Sequence, residues 1–228
     1  MELCIFNKIE DDLCIKGILE KDNVIVLRNI IEFSETEGVT SSAIKEYVAT
    51  RLANDDNILS RLAQAGKFIG DDLYRLAKFD IEQIYKKLFS TQIKYAPSGN
   101  PIGFSNGYVA SIRAITESKS AQELLDLLIE HYRKFGSGIL AKYNAFRYDG
   151  ELIGVSNTDD ITFDSLVGIE YQKQVLIDNT KAFVSGKAAN NVLLFGDRGT
   201  GKSSSVKALL NMFCDDGLRI IEMPKHCI

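Results

Sequence analysis

Residues 190–213 read NNVLLFGDRGTGKSSSVKALLNMF, and the order of residue types in that stretch decides the fold class. Val192, Leu193, Leu194 and Phe195 form a short, wholly apolar run, the pattern of a parallel strand covered on both faces. Gly196-Asp197-Arg198-Gly199-Thr200-Gly201-Lys202-Ser203 follows and satisfies G-x-x-x-x-G-K-[ST]. Beyond it, Val206, Leu209, Leu210 and Phe213 recur at helical spacing between Ser204 and Phe213. Strand, glycine loop and helix therefore come in the order that a phosphate-binding loop requires.

The chemistry of phosphate accounts for the residue types. Several backbone N–H groups must meet the oxygens of a triphosphate at once, and a Cβ on the loop would obstruct that approach. Hence the glycines at 196, 199 and 201. The helix that follows points its positive end at the anion. Lys202 adds a mobile cation for the β- and γ-phosphates, and the Ser203 hydroxyl is placed to ligate Mg²⁺. Gly196, Asp197, Arg198, Gly199, Thr200, Gly201, Lys202, Ser203 and Ser204 are thus the expected nucleotide-binding residues. The plainer alternative is a glycine-rich turn with an exposed lysine.

Upstream, Phe163, Leu166 and Val167 precede Gly168, and Tyr171, Val175, Ile177 and Phe183 predict a helix that Gly186 can end. A turn glycine followed by an amphipathic helix, ahead of the loop, is a place for an adenine ring to pack.

The strings F-D-S-L-V-G-I-E-Y-Q-K, N-T-K-A-F, A-N-N-V-L-L-F-G-D-R-G-T-G-K-S-S-S-V-K-A-L-L and G-L-R-I-I-E resemble a bacterial family of AAA+ ATP-binding proteins catalogued as a domain of unknown function. The likeness is dense over residues 161–222 and looser over the helical region before it. It implies an α/β P-loop core with a five-stranded parallel sheet, ATP and Mg as ligands, and a helical N-terminal extension. It carries the phosphate-loop roles onto Gly196, Gly199, Thr200, Gly201, Lys202 and Ser203. Val167 and Gly168 match the segment that lies against the adenine in AAA+ proteins. Intact relatives are expected to be ATPases that form rings.

In the same resemblance the next landmarks are a strand ending in paired acids, a polar sensor and arginines that complete a neighbour's site. Only 26 residues follow Lys202, room for one helix and a strand over Leu218–Met223. Glu222 lies on that strand, the second in the AAA+ order, whereas the resemblance puts the Mg-organising acid at the end of the third. The sequence therefore reads as truncated after the second core strand, binding ATP without efficient hydrolysis. A competing reading makes the N-terminal region a module that recognises a protein partner, with the nucleotide site a vestige. A small-molecule kinase is disfavoured, because almost no acceptor-binding region follows the loop.

The remainder predicts helices. Ile44, Val48 and Leu52 repeat helically in residues 41–53, and Asp71 or Asp72 is expected to cap a short helix through Leu76. Asp80 is expected to cap the next, whose Ile81, Ile84, Tyr85 and Leu88 share a face. Ser120 and Glu123 form a capping box ahead of Leu124, Leu127, Leu128, Ile129 and Tyr132, and Gly136 stands at the stop. Residues 95–108 read as a connector whose Phe104 and Tyr108 anchor it to the core, and 147–160 as a linker or short hairpin. A boundary near Thr158 divides a mainly helical domain, 1–157, from the incomplete P-loop domain, 158–228.

Of the 228 residues, 45% are hydrophobic and 25% charged, which excludes a disordered or fibrous chain. A net charge of −4 makes nucleic acid an unfavoured partner. No stretch approaches the roughly 18 apolar residues of a membrane span, and the N-terminus lacks a secretory apolar core. A cytoplasmic location without membrane association is expected. Cys4, Cys14, Cys214 and Cys227 then sit in a reducing compartment as incidental thiols, and His226 beside Cys227 does not make a metal site.

Overall fold

The computed structural model describes residues 1–39, 42–91, 103–156 and 158–227. The chain divides into two units, Met1–Lys142 and Tyr143–Ile228. The sequence texture places the boundary later, at 157/158; the intervening residues form a hairpin that belongs to the second unit.

The first unit is helical. After a 3-10 turn at Asn7–Asp11 come α1 (Leu13–Glu20), α2 (Asn23–Glu37), α3 (Ala43–Ala53), α4 (Ile58–Gln64), α5 (Asp71–Ile84), α6 (Asn106–Thr116), α7 (Ala121–Phe135) and α8 (Ile139–Lys142). Short acids start the first two helices: Asp12 accepts from the N–H of Cys14 and Ile15, and Asp22 from Val24 and Ile25. The predicted stripe Ile44, Val48, Leu52 of α3 is buried, and so are Ala43, Tyr47, Ala49, Thr50 and Ala53. α3 is therefore covered all round, a central helix rather than an amphipathic one. α6 packs on α3, and α4 and α5 pack on α7. The α7 face of Leu124, Leu128, Ile129 and Tyr132 is buried, and the Tyr132 hydroxyl donates to Leu52 O at 2.5 Å. Tyr108 is buried in α6 and meets Phe104 edge-on, with ring centroids 5.6 Å apart, as the anchoring role requires. Ser41 and residues 95–102 of the expected connector lie outside the described residues.

Two helix expectations are corrected. Residues 71–89 form one rod, not two capped helices: α5 starts after Gly70 and passes directly into a π-helical turn at Tyr85–Phe89. Asp80 thus lies mid-helix and fully buried, and its carboxylate accepts the backbone N–H groups of Cys4 (2.9 Å), Ile5 (2.6 Å) and Phe6 (3.1 Å). It caps a distant segment instead of its own helix. At α7, Ser120 accepts the Glu123 N–H at 3.1 Å as expected, but Glu123 returns to the N–H of Lys119, at 2.8 Å, one residue earlier than a capping box prescribes.

The second unit holds β1 (Ala145–Tyr148), β2 (Leu152–Val155), a 3-10 turn at Phe163–Ser165, α9 (Glu170–Val184), α10 (Lys202–Phe213) and β3 (Ile220–Glu222). The strand order is β2-β1-β3, with β1 antiparallel to β2 and parallel to β3. The architecture is a helical domain with a small α/β portion, and its sheet is mixed where a parallel one was expected. No strand forms over Val192–Phe195. A four-residue apolar strand is held by neighbours on both sides. Among the described residues no strand pairs with this run, which leaves Leu193 and Phe195 84% and 87% exposed. No helix among the described residues is long and apolar enough to cross a membrane.

Candidate functional site

The glycine loop turns sharply into α10. Gly201 is the N-cap, with φ 84° and ψ 7°, while Gly199 has φ 87° and Gly196 φ 137°. A residue with a Cβ adopts such dihedrals at a cost of roughly 1–2 kcal/mol. At Gly201 the requirement is purely one of backbone geometry. A Cβ there would meet only Ile169 and Leu166, at 3.8 and 3.9 Å, which is ordinary contact.

Lys202, the first residue of α10, folds back over the loop. Its Nζ donates to Gly196 O at 2.9 Å and Asp197 O at 2.6 Å and lies 3.3 Å from Thr200 Oγ1. Thr200 Oγ1 donates in turn to Asp197 O at 2.9 Å. The oxygens around the ammonium are carbonyl and hydroxyl, and among the described residues no carboxylate pairs with it. An uncompensated cation and the N-terminus of a twelve-residue helix therefore share one corner. That corner favours an anion. Asp197, Arg198 and Ser203 are exposed at its rim, Ser204 is half-buried, and Ser205 is buried, donating to Gly201 O at 2.9 Å.

Three polar ties that the sequence did not signal position the corner. Asn179 on α9 exchanges two hydrogen bonds with the backbone of Asn190, each 2.9 Å long. Asn211 on α10 donates to the carbonyls of Asp159 and Ile161, both at 2.9 Å, and Lys207 forms an ion pair with Asp159. Amide-to-backbone pairs of this kind have no fixed spacing, so no motif announces them. The tie at 159–161 holds the segment that leads to Leu166 and Ile169, the two side chains beside Gly201. Between them, Val167 is 89% exposed and Gly168 has φ 83°. The structure thus brings the predicted adenine-side segment next to the loop.

The helix predicted after Gly168 forms as α9. Tyr171, Val175 and Phe183 are exposed, whereas Leu176 and the stem of Lys173, whose ammonium meets Glu170 at 2.8 Å, are buried. Phe183 borders a cavity of about 390 Å³ with Val192, Val206, Leu209 and Leu218.

Other candidates are otherwise engaged. Glu222 pairs with Arg147 across β1 and β3 at 3.3 Å. Among the described residues no three His, Cys, Asp or Glu side chains gather as a metal site. Burial pushes the Cys14 thiol up to about 12, far from thiolate reactivity. Ser203, the residue expected to meet Mg²⁺, presents an exposed hydroxyl oxygen beside this corner. Mg²⁺ commonly takes one or two protein ligands and completes its shell with phosphate and water.

The fold and this corner define a class: a helical unit joined to a small α/β unit that carries a glycine loop at a helix N-terminus. Residues 141–228 match a family described as "Protein of unknown function (DUF815)". The matched stretch takes in the loop, α9, α10 and the sheet, and begins close to the boundary between the two units. No curated protein and no solved structure matches the chain.

Proposed function

We propose that this chain is an ATP-binding protein of the AAA+ type whose loop, Gly196–Ser204, holds Mg-ATP. The observation that carries this reading is the corner where Lys202 meets the N-terminus of α10 with three positive-φ glycines around it. In that reading Lys202 swings from the carbonyls of Gly196 and Asp197 to the β- and γ-phosphates, and the loop N–H groups receive the remaining oxygens. Ser203 offers its hydroxyl to Mg²⁺, which when bound neutralises phosphate charge. Val167 and Gly168 border the base. Glu222 on β3 is paired with Arg147 and takes no part in this reading.

Titration calorimetry with Mg-ATP tests this, comparing the chain with Lys202→Ala. Micromolar binding that the variant loses by more than about 30-fold, roughly 2 kcal/mol, is expected. Equal heats from both proteins refute it.

Leu193 and Phe195, exposed where a covered strand was expected, count against an assembled P-loop core and so favour a second reading, in which the site is a vestige and the helical unit recognises a protein partner. Failure of both proteins to bind ATP, with specific capture of one partner by the whole chain, distinguishes it.

A further inference from the structure

We propose that Thr200 is a positioning residue of this site: its hydroxyl sets the turn of the loop and parks Lys202. This rests on the ATP-binding reading.

One hydroxyl serves three loop positions. A hydroxyl has one donor and two acceptor lone pairs. The donor goes to Asp197 O at 2.9 Å, and a lone pair faces Lys202 Nζ at 3.3 Å. A Cβ on Gly196 would stand 3.3 Å from the same oxygen, so the residue at 196 and the hydroxyl at 200 are packed against each other. Thr200 itself is exposed, so the fold gains little from its burial.

The consequence concerns the moment an anion arrives. The carbonyls of Gly196 and Asp197 both converge on the Lys202 ammonium. When the ammonium turns to phosphate, those two oxygens lose their cation while a negative charge approaches. Asp197 O then keeps one donor, the Thr200 hydroxyl, which holds its lone pair away from the incoming oxygens. Without that hydroxyl the carbonyl is left facing the anion, and the empty loop loses the tie that keeps the 197–200 turn closed. An unmade hydrogen bond of this kind costs about tenfold in binding.

The test uses the full chain with Thr200→Val, which keeps the shape and removes the hydroxyl, and Thr200→Ser, which keeps the hydroxyl. Mg-ATP and inorganic tripolyphosphate affinities are read by calorimetry, and the Lys202 ammonium by ¹H–¹⁵N correlation in the nucleotide-free protein. Thr200→Val is expected to weaken both ligands about tenfold and to shift the Lys202 ammonium resonance. Thr200→Ser should bind within about twofold of the parent. Melting without ligand should be the same in all three. Parent-like binding by Thr200→Val, or failure of Thr200→Ser to rescue, overturns the positioning role alone. Absence of ATP binding in the parent, unchanged by Lys202→Ala, overturns the ATP-binding reading and this role with it.

Discussion

Asn179 and Asn190 close a reciprocal pair: Asn179 Nδ2 donates to Asn190 O, and the Asn190 N–H donates to Asn179 Oδ1, both at 2.9 Å. A carboxamide has one acceptor and two donors, so it can stand in for the backbone of a neighbouring strand. Here it fastens the chain to α9 just ahead of the apolar run, and the glycine loop is suspended between that clamp and the start of α10.

Removing the clamp should loosen the chain locally. Asn179→Leu is expected to speed hydrogen exchange of the Asn190 amide about tenfold, with the amides of α10 unchanged. Asn179→Asp keeps the acceptor for that amide and should retain most of its protection. Unchanged exchange in Asn179→Leu would show that the pair does not hold the segment.

Asp80 makes the corresponding long-range tie in the helical unit. Its buried carboxylate is the acceptor for the N–H groups of Cys4, Ile5 and Phe6. Asp80→Ala leaves those donors without an acceptor and should cost about 3 kcal/mol in urea unfolding. Asp80→Asn, which keeps one acceptor oxygen, should cost about half as much. A loss below about 0.5 kcal/mol in the alanine variant, the range of ordinary surface changes, would rule out an anchoring role.

The contrast between Lys202 and Asp80 shows what a sequence displays. The loop and α10 are legible because Gly196, Gly199, Gly201 and Lys202 answer to local geometry: positive φ at the glycines and a helix start immediately after. Asp80 has its partners 74–76 residues away, so local spacing suggests a helix cap where the fold has an anchor. Val192–Phe195 fails for a related reason. Its apolar pattern states that a strand there would need covering, and a pattern cannot state whether neighbouring strands supply the cover. In α9 the helix was legible from its apolar residues, while its burial of the Lys173 stem with Tyr171 facing out follows from packing that no spacing displays. The tie from Asn211 to Asp159 and Ile161 is invisible for want of any fixed spacing.

His131 should make stability fall in mild acid. It is buried on α7 with Nδ1 2.9 Å from Ser111 Oγ, and its Nε2 has no partner among the described residues. Burial lowers its pKa from 6.5 to about 4. Between those values the unfolded chain takes up a proton that the folded one refuses. The contribution is therefore complete above pH 6.5 and is lost as pH falls toward 4. From about pH 7.5 to about pH 5 the loss is about 2 kcal/mol. His131→Phe, which suits the surrounding rings of Tyr108, Tyr132 and Phe135, should remove that slope. Asp55, raised by burial, works in the opposite direction but is common to both proteins, so their difference isolates His131. Identical pH profiles would place the acid sensitivity elsewhere.

Gly201 separates backbone strain from crowding at the start of α10. Its φ of 84° disfavours L side chains, while the nearest atoms to an added Cβ, on Ile169 and Leu166, leave room for it. Substitutions should therefore rank by tolerance of the left-handed region and not by size. Asn, which visits that region readily, should be mildest, Ala next at about 1–2 kcal/mol, and β-branched Val worst. If the chain binds Mg-ATP as proposed, the same order should hold for its affinity, because each step away from φ 84° turns the first N–H groups of α10 away from where the phosphates would sit. Thermal unfolding and calorimetry on Gly201→Asn, Gly201→Ala and Gly201→Val give both rankings. If valine proved as benign as asparagine in both, the helix start would not be held at positive φ, and the corner built on Lys202 would lose its geometric basis.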